Sequence, residues 1–367
     1  MKHSIHTLAI AALILSFSAC NRPAHSAASA AATTGNTQER ILKPTLSTQP
    51  VKHDTDDPAI WIHPTDPTKS LIIGTDKDTD GKLYAFDLQG KIVRESIPLR
   101  RPNNVDVVND FVFNGKKISI AVATERERNR IRVFSLPDLT PIDGDGILVF
   151  EGEEHNFPMG ISLFHDKAAS AHYAIVGRKD GPSGSYLHQY KLVESQGKVA
   201  AEKVRSFGEY SGKKEIEAIA VDQENGFIYY SDEMHGIYKY SVYPDAANTP
   251  LAFFGQDDFK RDMEGISIYK KDEKTGYIII SDQQNNSFNI YRREGDAGNP
   301  HSHTRIAVIT MSTQGSDGNE TTSVNLGAKF PKGIFVAMSE DKTFQIYDWR
   351  DIQQEIDKQT RQNAQNP

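Results

Sequence analysis

A triplet of strand-like segments occurs six times along this chain, and that repetition constrains the fold more than any other feature of the sequence. The apolar first segment Asp57-Pro58-Ala59-Ile60-Trp61-Ile62 has counterparts starting near Asn103, Pro158, Ile216, Met263 and Thr321, 46 to 58 residues apart. That is the period of propeller blades. Second segments follow at 71–74, 118–123, 173–176, 227–230, 277–280 and 334–337, nearly continuous in Val, Ile and Tyr, as strands covered on both faces are. Third segments alternate and end on an aromatic residue: Phe86, Phe134, Tyr190, Tyr240, Tyr291 and Tyr347. Six triplets predict an all-β chain folded as a six-bladed β-propeller. The sixth triplet ends near Trp349 without an outer strand, and residues Ile41 to Val51 precede the first with nothing else to pair with. The N-terminal segment is therefore expected to supply the outer strand of the sixth blade and close the ring.

The propeller is expected to span residues 39–350, with a signal segment at 1–20, a flexible tether at 21–38 and a polar C-terminal tail at 351–367. Met1-Lys2-His3 followed by an apolar run from Leu8 to Leu15 reads as a secretory signal, too short to remain as a membrane span. Phe17-Ser18-Ala19-Cys20 resembles a lipoprotein cleavage box; the alternative is an ordinary signal cleaved at a small-residue site. The chain is thus read as exported from a bacterial cytoplasm, either anchored as a periplasmic or outer-membrane lipoprotein or secreted, meeting a membrane through a lipid anchor alone. Cys20 is the one cysteine in the sequence, so no disulfide forms within the chain. A net charge of −7 argues against nucleic acid as a partner, because such proteins need a basic stripe.

In an antiparallel blade the start of the first strand and the end of the second lie at the same end of the channel. The six repeats therefore place Asp56 and Asp57, Asn103 and Asn104, Met159, Glu217, Asp262 with Glu264, and Glu320 on one rim. The second strands bring to that rim Lys77, Arg126, Arg178 and Lys179 from blades one to three, and Glu233, Gln283 and Glu340 from blades four to six. Such a division of charge suits oxygen ligation of hard divalent cations beside cations that grip phosphate oxygens. For any single residue, punctuation of a turn explains a polar side chain equally well. Asp76-Lys77-Asp78-Thr79-Asp80-Gly81, with Asp87 at the twelfth place, has the carboxylate spacing of a calcium loop, but strands flank it where an EF-hand has helices. A hairpin turn at Asp80-Gly81 is favoured, with a local calcium site as the alternative.

On these residues the sequence resembles the β-propeller, or alkaline, phytases, from about Asp54 to Ala337. The resemblance is carried by Asp57-Pro58-Ala59-Ile60-Trp61, Asn103-Asn104-Val105-Asp106, Glu217 and Asp262-Met263-Glu264-Gly265. It implies several bound calcium ions and cleavage of phosphate monoesters of inositol phosphates, presented as calcium complexes to a monomeric enzyme. It also implies that Lys77, Arg126, Arg178 and Lys179 grip phosphate and that Asp57, with the backbone carbonyls of Pro58 and Val105, forms one calcium cage. Glu217, Glu233, Asp262, Glu264 and Gln283 resemble ligands of other ions, and Glu320 is the acidic residue that remains after Asp317-Gly318. Met159 stands where the family usually has a phosphate-binding Tyr.

Elimination points to the same chemistry. No cysteine survives outside the signal region and no Arg-His-Gly nucleophile motif is present, which leaves direct attack by metal-bound water, on ions that the resemblance assigns to Glu217, Asp262 and Glu264. A calcium-dependent lactonase-like propeller hydrolase and a non-catalytic propeller that captures calcium or phosphate are the competing readings.

Overall fold

Four of the six second strands are buried along their whole length and the other two over all but their first residues, because a neighbouring blade covers each face, and this is why these strands read as apolar runs. The computed structural model describes residues 40–365; the expected signal segment, Cys20 and the tether lie outside them. Within that span the chain forms six antiparallel sheets. Blade one comprises Thr55–Trp61, Leu71–Asp76, Leu83–Phe86 and Ile92–Glu95. Blade two comprises Pro102–Phe113, Lys116–Glu125 and Arg130–Leu136, with an outer edge split into Thr140–Pro141 and Ile147–Leu148. Blade three is Pro158–Asp166, Ala171–Arg178, Leu187–Ser195 and Lys198–Phe207. Blade four is Ile219–Asp222, Phe227–Asp232, Gly236–Ser241 and Ala252–Phe254, and blade five is Ile266–Lys270, Gly276–Asp282, Ser287–Arg292 and Arg305–Thr310.

Blade six consists of Asn319–Thr322, Ile334–Ser339 and Thr343–Asp348, completed by Leu46–Ser47 from the N-terminal end. Leu46 pairs with Ile346, and the amides of Thr45 and Thr48 donate to the carbonyls of Ile346 and Phe344 at 2.8 and 2.9 Å. The propeller is therefore closed by an N-terminal strand, as the unpaired segment before the first triplet implied. The clasp reaches further, since Leu42 bridges in parallel to Met311 beside blade five. Neighbouring inner strands touch around the ring, including the sixth and the first, and residues from all six line one central channel.

Six apolar clusters fill the six interfaces between blades. At the closing seam Ile60, Ile72 and Phe86 pack on Val336, Phe344 and Ile346, and here Gly74 is required by space: a Cβ on it would lie 2.1 Å from the Phe344 ring.

The expected polar tail from residue 351 is instead the C-terminal part of a helix, Trp349–Gln365. Trp349, Ile352 and Ile356, spaced by three and four, form a buried stripe, with Trp349 stacked on Tyr269 at 3.5 Å. Gln359 exchanges both amide hydrogen bonds with the backbone of Val308, so the helix satisfies part of the open edge of blade five.

Candidate active site

The inner strands of blades one to three carry a β-bulge at the same end. Asp56 and Asp57 share the place opposite Thr75, Asn103 and Asn104 that opposite Thr124, and Met159 and Gly160 that opposite Gly177. Amides of Ser231, Ser281 and Met338 donate to the carbonyls of Ala218, Gly265 and Gly318, which puts Glu217, Glu264 and Asp317 at the same point of blades four to six. A bulge bends the strand and turns its extra residue out of the ladder, here toward the channel mouth. Asp56, Asn103, Met159, Glu217, Glu264 and Asp317 are thus equivalent positions around one rim. Threonine hydroxyls hold two of the bulges, the amides of Asp57 and Asn104 donating to Thr75 and Thr124 at 2.9 and 3.1 Å.

A second ring comes from the ends of the second strands. The amides of Lys77, Arg126, Lys179, Glu233 and Gln283 donate to the carbonyls of Asp54, Arg101, Phe157, Glu215 and Asp262, so these five residues are also equivalent. One residue earlier stand Asp76, Glu125, Arg178, Asp232 and Asp282, all buried. The carboxylates of that inner set accept from the loop entering their own blade: Asp76 from the amides of His53 and Asp54, Glu125 from Arg100, Asp232 from Ser211 and Asp282 from Lys260. Arg178 does the same work with reversed polarity, donating to the carbonyls of His155, Ser185 and Tyr186 and pairing with Glu153. Its side chain is 0% exposed. The expectation that Arg178 grips phosphate is therefore corrected; register gives that place to Lys179, whose Nζ lies 2.5 Å from Glu215.

Lys77, Arg126, Glu217, Glu233, Asp262, Glu264 and Gln283 do converge. Lys77 Nζ lies 2.6 Å from Asp56 and 2.8 Å from Asp317. Asn103 donates to Asp56 and Glu217 at 3.1 and 3.0 Å, and Gln283 to Glu264 and Asp317 at 2.7 and 2.6 Å. Two carboxylate clusters adjoin, Glu215, Glu217 and Glu233 on one side and Glu233, Asp262 and Glu264 on the other, with Glu233 common to both. Burial pushes the carboxyl of Glu217 up, Asp317 and Glu215 add to it, and Lys77 and Arg126 work against it. Burial likewise raises Glu233 and Glu264. Burial also opposes ionising Asp317, but Lys77 and hydrogen bonds, Gln283's among them, hold that carboxyl below the usual range.

Arg126 forms no salt bridge among the described residues, and its Nε is buried without a partner. Its guanidinium rests on the sulfur of Met159, which is itself 1% exposed. Met159 therefore lies at its rim position beneath the guanidinium of Arg126, covered from solvent.

Glu320 lies one layer deeper than the rim. Asp317 holds the equivalent of the Glu217 position, whereas Glu320 shares the channel with Asp57 and Asp106, all three half-buried, and desolvation together with the charges of Asp106 and Asp57 raises the Glu320 carboxyl. Val105 donates its amide to Asp57 at 3.0 Å, which brings Asp57, Pro58 and Val105 together. The Asp76–Gly81 segment is a turn: Gly81 N–H donates to Asp78, Asp80 is engaged by Lys52 and His53, and Asp87 accepts from Gln89 and Lys91 in a separate turn.

Asp56 and Asn103 were expected on the rim but without a partner, and Glu215, Lys214 and Asp317 were given no role. A signal for Asp317 was present, since Met159-Gly160, Glu264-Gly265 and Asp317-Gly318 share a residue-then-glycine pattern before an inner strand. Space explains the glycine: a Cβ on Gly160 would lie 1.8 Å from the carbonyl of Glu217, and one on Gly318 2.6 Å from Asp57.

The fold and rim define a six-bladed propeller whose channel mouth sets clustered carboxylates beside Lys77, Arg126 and Lys179. The family model described as phytase matches residues 3–366. A protein described as 3-phytase from Bacillus subtilis (strain 168) is 32% identical over 328 residues, covering 82% of this chain and 81% of the relative. The chain belongs to the phytase family and is a phosphoric monoester hydrolase of the 3-phytase type.

Proposed function

We propose that this chain is a calcium-dependent phosphomonoesterase that hydrolyses phytate or related inositol phosphates, taken as calcium complexes. The observation that carries the reading is the pair of carboxylate clusters sharing Glu233 beside an Arg126 guanidinium that has no salt-bridge partner among the described residues. Oxygen donors alone make up these clusters, the donor set hard divalent cations prefer. Glu233 Oε1 is buried without a hydrogen-bond partner, an acceptor that a cation would satisfy. Glu215, Glu217, Glu233, Asp262 and Glu264 would hold ions at the rim, and Asp57 with the carbonyls of Pro58 and Val105 another in the channel. Calcium bound at the rim would polarise phosphate oxygens and activate an attacking water.

The chain's own residues do the rest. Arg126 and Lys179 bind and orient the phosphate through charge-assisted hydrogen bonds. Lys77, fixed between Asp56 and Asp317, adds positive charge beside the equatorial oxygens during displacement. Asn103 orients Glu217 by donating to its Oε1, so the carboxylate stays aimed at the rim.

The test is release of inorganic phosphate from phytate with calcium and with excess chelator, using wild type and Glu217→Gln. Calcium-dependent release that falls at least ~1000-fold in the variant is expected. Undiminished release in chelator would sink the reading.

A further inference from the structure

The Nζ of Lys214 lies 2.7 Å from Glu233, 2.9 Å from Asp262 and 3.0 Å from Glu264. The ammonium donates a hydrogen bond to Glu264 and lies within ion-pair distance of the other two carboxylates. These same carboxylates offer ligand atoms within 4.8 Å of one another, close enough to surround one small cation. Calcium bonds oxygen at about 2.3–2.6 Å, so an ion placed among them would occupy the space of the ammonium. The two cannot be present together.

The lysine is built to leave. It extends from the Ser211–Ile216 loop ahead of blade four, where Gly212 turns at a φ of 73° with open space around it, and its side chain remains 34% exposed. Four methylenes give the ammonium reach into solvent without movement of the strand. Its neighbour Lys213 already points away, toward Met234 and His235.

We propose that Lys214 is a tethered counter-cation that neutralises the Glu233, Asp262 and Glu264 site in the calcium-free protein and is displaced when calcium enters. This rests on the calcium reading above and deepens it: one rim ion binds by exchange with a side chain and therefore more weakly than the carboxylates alone would hold it. The same exchange frees a lysine beside the phosphate-binding face. Against three carboxylates, exchanging the ammonium for calcium takes the local charge from −2 to −1, and the lysine carries its own charge out to solvent.

Chelator-stripped wild type, Lys214→Gln and Lys213→Gln are titrated with calcium by calorimetry and melted with and without the ion. Occupancy by the lysine reduces apparent affinity by the fraction of sites left open, so Lys214→Gln should bind one calcium about 10- to 100-fold more tightly at unchanged stoichiometry. Its calcium-free form should melt several degrees lower, while the calcium-saturated forms melt together. Lys213→Gln, which removes the same charge from the adjacent residue, reports the general electrostatic change and should move affinity far less. Unchanged or weaker affinity in Lys214→Gln would overturn the exchange. A gain of one bound ion would overturn it too, by making Lys214 a permanent occupant. Absence of calcium binding in all three proteins would remove the calcium reading itself.

Discussion

Arg178 and Lys179 are neighbours in sequence with opposite surroundings, one enclosed by carbonyls and Glu153, the other at the rim against Glu215. Replacing Arg178 by Met leaves those acceptors unpaired and should cost about 3 kcal/mol of stability. Arg126→Met should leave the melting point nearly unchanged and raise KM for phytate about 10-fold, the worth of a charge-assisted hydrogen bond to phosphate. Paired melting curves and steady-state kinetics check both, and a KM unaffected by loss of Arg126 would remove it from the substrate face. Met159→Tyr belongs with Arg178. The larger ring has no space beneath Arg126, so the variant should lose about 1–3 kcal/mol and gain no affinity. The sequence showed these residues as cations and a methionine on a rim; it could not show which of two adjacent cations is buried, because that depends on a one-residue register.

At the scale of elements, the strands were legible because their burial is symmetrical. Runs such as Tyr277-Ile278-Ile279-Ile280 have a blade on either side and carry no polar face. Closure was legible by arithmetic, an unpaired segment at one end and a missing strand at the other. Gly74 tests that seam. Gly74→Ala must push the Phe344 ring aside, at a cost of about 1–3 kcal/mol, and a melting point equal to wild type would show that the seam has slack. The C-terminal helix was missed because its composition is polar and its buried stripe is only Trp349, Ile352 and Ile356. Without the edge of blade five that it covers, nothing in that segment distinguishes a docked helix from a tail.

For the molecule as a whole, pH acts through buried neutral histidines as well as the rim. Burial holds His172 and His303 down to about 4, with His165 and Lys239 respectively adding to the effect. An unfolded histidine titrates near 6.5, so between those values the unfolded chain binds more protons and stability falls as pH is lowered. Each should withdraw on the order of 1 kcal/mol by pH 5. Glu217, Glu233 and Glu264 act in the opposite sense, since their raised values favour the protonated folded form, whereas Asp317, held low, acts in the same sense as the histidines. A His172→Asn, His303→Gln double variant isolates the histidines: its melting point should decline less steeply than that of wild type from pH 6.5 to 4. Parallel curves would show that these rings do not drive the acid limb.

Blade number, blade order, ring closure and the gathering of polar residues at one channel mouth were determined by the sequence itself, because burial on both faces and a repeating antiparallel unit leave few ways to arrange six such triplets. Which of those residues meet was decided only in three dimensions. Glu233 joins two carboxylate clusters, Asp317 holds the rim position while Glu320 lies a layer below, and Lys214 reaches from an unremarked loop into the shared site. Asp317 alone left a local trace, in the glycine that follows it; the other relations follow from bulge register and from the rotation between blades, which no local pattern records.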